Sequence, residues 1–205
     1  MAAKPKAGPS NLREACISEA LQIIEDAGIE GLSLREVARR LGVSHQAPYK
    51  HFPSRDHILA EILARCFDEF AMFLDQRPPS TDPFIDLRGM GERYMAYAQL
   101  HPVKYRLMFN TPMPDPDAHP QMMRNAQRAF ALLRDRLKDM KLRPAGEFHP
   151  SSASLDAMFV WSTLHGLASI LQSDTLRTLQ MSDIELQQAM SRCFARLSLA
   201  LIPLP

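Results

Sequence analysis

LSLREVARRLGVSHQAPYKHF, residues 32–52, is the stretch on which the reading of this chain turns. Ser33 followed three residues later by Glu36 is a capping box, so a helix starts there and runs to Leu41, where Gly42 stops it. Val37, Ala38 and Leu41 form its inward face, and Val43 packs the turn. Ser44 is placed to cap a second, very short helix through His51. An eight-residue helix, a tight glycine-containing turn and a short second helix have the arithmetic of a helix-turn-helix. The second helix opens on small or polar residues, which leaves its N-terminal end free to enter a DNA major groove. Between Ser33 and His57 stand Arg35, Arg39, Arg40, Lys50 and Arg55 against Glu36 and Asp56, a local +3 in a chain whose net charge is +1. Global charge offers no attraction to a polyanion, so local clustering must supply it. Spacing alone leaves a second reading open, an exposed helical hairpin with chance basic residues.

Outward from this stretch the period is helical throughout. Only four valines occur in 205 residues, and no segment alternates apolar and polar convincingly. All of the 16 prolines except Pro48 fall in connectors or at termini, most clearly at 76–83, 110–120 and 143–154. Together with 33–41 and 44–51, helices are expected at about 10–27, 54–74 (capped by Ser54), 84–100, a short one after Pro102, 119–141, 153–173 and 182–202. The fold class is therefore all-α, with about nine helices. The first buries Leu12, Cys16, Ala20, Ile23, Ile24 and Ala27 and ends at Gly28 in a left-handed conformation.

The length suits one compact unit or two small ones sharing a core. Apolar residues make up 46% and charged ones 23%, a balance that argues against extensive disorder. Cys16, Cys66 and Cys193 are odd in number and far apart, which points to buried reduced thiols rather than a zinc site or disulfides. The seven histidines show no metal-binding spacing, so no metal or cofactor is expected. No run reaches the ~18 apolar residues of a membrane span, and the N-terminus lacks a signal-peptide core. A cytoplasmic location with no membrane partner is expected by elimination. No nucleophile motif, glycine-rich phosphate loop or paired carboxylates suggest an enzyme. A constitutive architectural DNA protein fits poorly as well, since a near-neutral chain binds bulk duplex weakly.

Residues 12–67 resemble the N-terminal domain of the tetracycline-repressor (TetR) family. The resemblance rests on the helix ending in AGIEGLS, the REVARRLGVS core, the run Tyr49-x-His51-Phe52, and the following helix with Arg55 and Leu59. It implies a disordered arm over 1–9, a DNA-binding domain over 10–56 and an effector-binding and dimerisation domain over 57–205. His45 and Gln46, at the start of the short helix, are expected to meet base edges, and Gln pairs with adenine in a bidentate way. Ala47 and Pro48 are apolar and suit a thymine methyl. Tyr49 and His51 correspond to family positions that contact phosphate or brace the helix, and Lys50 suits phosphate or base. Ser33 and Arg55 resemble phosphate anchors at helix starts. Arg35 belongs to the same basic cluster, and Lys4, Lys6 and Arg13 extend it as a loose arm. Phe52 is expected in the core. Pro48 departs from the commoner aliphatic residue. Its missing N–H removes the bond to the Ser44 carbonyl, so the recognition helix is expected to start distorted.

The rest of the chain resembles the divergent helical domain of the same family. YMAYAQLHPVKYRLMF (94–109) and Trp161 with His165-Gly166 are similar to the branch named for a Trp-His-Gly signature. Eleven of the twelve methionines fall between positions 72 and 190, and Met suits adaptable apolar pockets. Tyr94, Tyr97, Met108, Phe109, Met122, Met123, Phe130, Phe159 and Trp161 are the residues from which a pocket could be built, with His165 available for a hydrogen bond. The helix at 153–173 is apolar nearly all round, which implies cover from a partner subunit. Its Leu164, Leu167 and Leu171, with Leu186, Met190, Cys193, Leu197 and Leu201 of the last helix, form the expected dimer interface. The resemblance implies a regulator of transcription, a repressor or an activator. A homodimer would bind a palindromic operator in double-stranded DNA, its release coupled to a largely apolar small-molecule effector.

Overall fold

The structure, a computed structural model, describes residues 9–76, 78, 80–138, 140, 142, 152–173 and 175–201. The arm with Lys4 and Lys6, and most of the proline-rich connector at 143–154, lie outside the described residues. So does Ile202 at the end of the last expected helix. No strand occurs among the described residues. The helices are α1 (Pro9–Ala27), α2 (Leu34–Leu41), α3 (Arg55–Asp75), α4 (Pro83–Leu100), α5 (Pro102–Phe109), α6 (Pro120–Lys138), α7 (Ala153–Leu171), the single turn α8 (Thr175–Thr178) and α9 (Asp183–Leu201). Two 3-10 turns, Ile29–Gly31 and Pro48–Lys50, flank α2.

Packing divides the chain into two compact units that do not follow chain order. The first takes the residues up to Phe67 together with Val103–Ala126; the second takes Asp68–Pro102 and the residues from Gln127 onward. In the first unit, Cys16, Ala20, Ile23 and Ile24 of α1 are buried as expected, with Ile17 added. Leu12 is half-buried and Ala27 exposed, so the stripe is shorter at both ends than its periodicity suggests. Leu34, Val37 and Ala38 close α2 over α1, while Leu41 is only half-buried. Phe52 is buried, and Ile58, Leu59, Ile62 and Leu63 of α3 complete that side. Tyr105, Leu107 and Met108 of α5 and Met122 of α6 join the same core, and the Asn125 amide donates to the Ala64 carbonyl at 2.8 Å.

Caps punctuate the helices largely where polar residues foretell them. Ser33 Oγ accepts the Glu36 N–H at 3.1 Å, but the reciprocal half of the box is missing because the Glu36 carboxylate turns to Arg39 and Arg40. A box whose two halves both form closes α9 instead: Glu185 N–H donates to Ser182 Oγ, and Ser182 N–H donates to the Glu185 carboxylate. Ser54 Oγ accepts the His57 N–H at the start of α3, and Asp82 Oδ1 accepts two N–H groups of α4. Gly42 ends α2 in the left-handed region. Gly28 also has positive φ, 73°, but with ψ 175°, so it opens an extended step and not the expected left-handed cap.

One expected helix is replaced. Residues 44–51 form a turn at 45–47 followed by the 3-10 turn Pro48–Lys50. Pro48 has no N–H to give the Ser44 carbonyl, and the Ala47 N–H takes that carbonyl at 2.9 Å, one residue earlier than an α-helix would. Ser44 therefore closes a turn with its carbonyl instead of capping a helix, and Ala47 stands at the N-cap of the 3-10 turn without a side-chain cap bond.

In the second unit, α4 packs on α7 and α7 on α9. Met90, Tyr94 and Tyr97 of α4 are buried, and the two tyrosines meet Phe70 of α3, with ring centroids 5.5 Å apart for Tyr94 and 5.0 Å for Tyr97. Leu164 of α7 and Leu197 and Leu201 of α9 are buried inside the protomer, at 7% exposure or less. That corrects their expected place in a subunit interface: the apolar stripe on α9 meets its own unit first. Gly91 lets α9 approach α4, since a Cβ there would sit 2.6 Å from Phe194 Cε1. Gly91→Ala is expected to lower stability by about 1–2 kcal/mol despite the better helix former, because a ring atom cannot yield that distance. Urea denaturation of the variant, and of Gly91→Ala combined with Phe194→Leu to relieve the clash, measures this. No recovery in the double variant would contradict the close approach.

Candidate nucleic-acid interface

The 3-10 turn sorts the side chains of the 44–51 segment by its own geometry. Pro48 points inward and is fully buried, so the expected contact of Pro48 with a thymine methyl is corrected to a core role. Ala47 is half-buried, while Ser44, His45, Gln46, Tyr49 (40% exposed) and Lys50 face outward. Arg35 on the exposed side of α2 joins them: Arg35, His45, Gln46 and Tyr49 line one open concavity. The segment brings together a guanidinium, an imidazole, a carboxamide and a phenol from two elements. That set offers donors for phosphate and a bidentate amide for a base edge.

The rest of the local basic charge is engaged within the unit. Arg40 lies 2.6 Å from Asp26, 3.1 Å from Glu36 and 3.5 Å from Glu19, and Arg39 lies 2.6 Å from Glu36. Arg55 donates through Nε to the Leu32 carbonyl at 3.0 Å and through Nη2 to the Ile29 carbonyl at 2.7 Å, tying α3 to the connection between α1 and α2. The Ser33 hydroxyl is occupied as a helix cap. Arg13 pairs with Glu61 at 2.8 Å and rests 5.3 Å above the Phe52 ring. Arg35 and Lys50 carry no ion pair among the described residues. His51 is half-buried and lines a separate hollow with Phe52, not the concavity at the tip.

The expected pocket residues are divided between the two units. Met108, Phe109, Met122 and Met123 belong to the first, where Met108 and Met122 are plain core. Tyr94, Tyr97, Phe130, Phe159, Trp161 and His165 belong to the second. There the Tyr94 hydroxyl and His165 Nδ1 share a hydrogen bond at 3.2 Å, and the Trp161 ring lies 5.9 Å from His165 and 6.1 Å from Phe130. Burial pushes the His165 imidazole below its ordinary range, favouring the neutral ring. Tyr97 is wholly buried, and Phe159 is 45% exposed and faces away from the core. A groove of about 470 Å3 opens elsewhere in the same unit, its walls including Met95, Leu171, Gln172, Asp183, Gln187 and Met190. It joins α4 to the much later α7, α8 and α9, so nothing in the chain's pattern marks it.

On the outer side of α7, Leu155, Met158, Phe159 and Ile170 are exposed, and open space surrounds Gly166. They share one helix face with Ser162. Ile184 and Leu199 do the same on α9, with Gln188, Ser191 and Ala195 between them. Leu167, Leu171, Leu186, Met190 and Cys193 are half-buried on the opposite sides. No group of three His, Cys, Asp or Glu that could hold a metal ion occurs among the described residues. No helix among them is long and apolar enough to cross a membrane.

Comparison with known proteins covers most of the chain. Residues 17–62 match the family model described as bacterial regulatory proteins, tetR family. Residues 87–196 match one described as tetracyclin repressor-like, C-terminal domain, a description that does not single out the Trp-His-Gly branch. The chain is 31% identical over 98 residues to the HTH-type transcriptional regulator Rv1816 of Mycobacterium tuberculosis, covering 46% of this chain and 42% of that one. It is 47% identical over 47 residues to the class C tetracycline repressor protein of Escherichia coli, 23% of this chain and 22% of that one. These matches thus span less than half the length of the curated relatives. Among solved structures, the regulatory protein SCO4313 is 26% identical with a TM-score of 0.74, over 92% of this chain and 96% of that chain.

The Glu36 carboxyl, held by hydrogen bonds from Arg39 and then Arg40, has its pKa lowered from 4.5 to about 2. A depressed acid adds stability that is fully present above about 4.5 and lost as pH falls toward 2. The stability difference between wild type and Glu36→Gln is therefore expected to shrink as pH is lowered across that window. Urea midpoints over a pH series measure it, and a pH-independent difference would contradict the pairing.

Proposed function

Because the chain belongs to the TetR family of bacterial transcriptional regulators, which are not enzymes, we propose that it is a repressor. It would bind a palindromic DNA operator as a homodimer in the cytoplasm and leave the DNA when a small molecule binds. The observation that carries the reading is the exposed concavity of Arg35, His45, Gln46 and Tyr49, with Lys50 beside it. Gln46 is the base reader in this proposal, through the N6 and N7 atoms of adenine. Arg35, Lys50 and Tyr49 contact phosphate, and His45 faces the groove edge. Ala47, half-buried, contributes at most its methyl. Ser33, Arg55 and Arg13 act by holding the reader's shape, and Pro48 by seating it.

Dimerisation is assigned to the outward faces of α7 and α9. Leu155, Met158, Phe159 and Ile170 supply apolar area that one protomer leaves open, and Gly166 and Ala195 permit close approach. Two copies make a four-helix bundle across a two-fold axis and set two readers one helical turn of DNA apart, ~34–36 Å. The groove walled by Met95, Gln172 and Gln187 is the effector cavity of this reading, part apolar and part polar, with amide groups to orient a ligand. An effector acts by preferring the protein conformation whose readers are mis-spaced.

Gln46→Ala is expected to relax preference at one base pair by about 1–3 kcal/mol, while Arg35→Ala weakens specific and random DNA alike and lowers the salt slope by about one. Selection from a random-sequence pool and anisotropy titrations over salt measure both; equal losses on specific and random DNA for Gln46→Ala would remove it as a base reader. Phe159→Asp is expected to shift the protein from dimer to monomer in sedimentation equilibrium, and a dimer of unchanged affinity would sink this assignment of the interface.

A further inference from the structure

The hollow that His51 enters shares no residue with the concavity at the reader's tip. Four separate parts of the first unit wall it. Arg13 comes from α1, His51 follows the 3-10 turn, His57 and Glu61 stand on α3, and His119 and Arg124 flank the start of α6. Its volume is about 290 Å3, at the small end of ligand sites.

Five basic side chains face a single carboxylate there. That carboxylate is already engaged: Glu61 lies 2.8 Å from Arg13 and 2.9 Å from Arg65, and these partners hold it ionised below its ordinary range against the opposing effect of burial. Arg124 donates only to the neutral Gln121 Oε1, at 2.7 Å, and makes no ion pair among the described residues. The His57 and His119 rings meet edge to face with centroids 4.9 Å apart. His57 Nδ1 lies 2.8 Å from Ser54 Oγ, so Nε2 is the ring atom left for another partner. Two imidazolium rings this close repel each other, and a dianion between them turns that repulsion into two charge-assisted hydrogen bonds. A transition metal, the other ligand two histidines suggest, lacks a third donor here.

We propose that this hollow binds a small oxyanion of the phosphate or sulfate class, held by Arg124, His57 and His119. Binding is linked to protons, because the anion favours the charged rings. Affinity is therefore greater at lower pH. Arg13, Glu61 and His51 are the other charged or titratable groups facing the rings, and Arg13 and Arg65 hold the Glu61 carboxyl below its ordinary range. The bound anion pins the start of α6 to α3. The site stands independently of the proposed DNA binding, since its ligand is small and its test uses no DNA.

The probe is sodium sulfate, whose charge is constant across the range, added to the full-length protein at about pH 6 and about pH 8 against sodium chloride of equal ionic strength. Thermal midpoints and the imidazole 1H–15N resonances are followed together. Sulfate also stabilises proteins generally by exclusion from the surface, an effect that does not saturate, so the site is read from the saturable part. That part is expected to be stronger at the lower pH, to move the His57 and His119 resonances, and to weaken about tenfold or more in Arg124→Gln and in His57→Gln/His119→Gln. No saturable part, or one undiminished in both variants, overturns the proposal. Should the variants lose their fold, the wild-type rings decide alone: a saturable shift of both supports the site, and no such shift overturns it.

Discussion

The buried ring of Pro48 organises the outward surface of the first unit. A proline four residues past Ser44 cannot close an α-helical bond, so the chain tightens into a 3-10 turn and the Ser44 carbonyl goes to Ala47. Because that ring and Phe52 are sunk in the core, Gln46, Tyr49 and Lys50 are turned outward. A regular helix would carry its side chains at a 3.6-residue spacing, whereas a tighter turn eclipses positions three apart, which places Gln46 and Tyr49 on one wall with Arg35.

Electrostatics around this core follow a second division of labour. A run of arginines reads as a uniform positive patch, but the fold gives each a different task. Arg40 bridges α1 and α2 through Asp26 and Glu36, and Arg55 holds two backbone carbonyls of the connection between those helices. Both stabilise the reader's shape, which matters more to a DNA contact than one further exposed charge, since exposed charges are screened by salt. Of the basic residues between Ser33 and His57, Arg35 and Lys50 at the tip are the ones left without an ion pair among the described residues.

Much of this was legible in the residues. Helix spans follow from periodicity, from the caps Ser33 and Ser54, and from proline-rich connectors, because these signals act within one turn of chain. The short reader is also visible, including its distortion at Pro48. Its exact form was not, because a missing N–H says which bond is lost and not which donor replaces it. Which apolar faces of α7 and α9 stay open in the protomer was not legible for a related reason. On α7 both faces are apolar, and period alone cannot say which of two apolar faces meets the protomer's own core. Gly91, by admitting Phe194, settles it for α9.

The sequence by itself determined the all-helical class, the helix-turn-helix spacing, the local excess of basic residues and the family, since each is a property of neighbours in the chain. Tertiary structure alone decided which arginines are engaged, which faces of α7 and α9 remain open, and that Val103–Ala126 packs with the reader's unit. It also assembled the hollow of Arg124, His57 and His119. These depend on meetings between residues tens of positions apart, and the energy of such a meeting lies in the burial and pairing that only the folded chain creates.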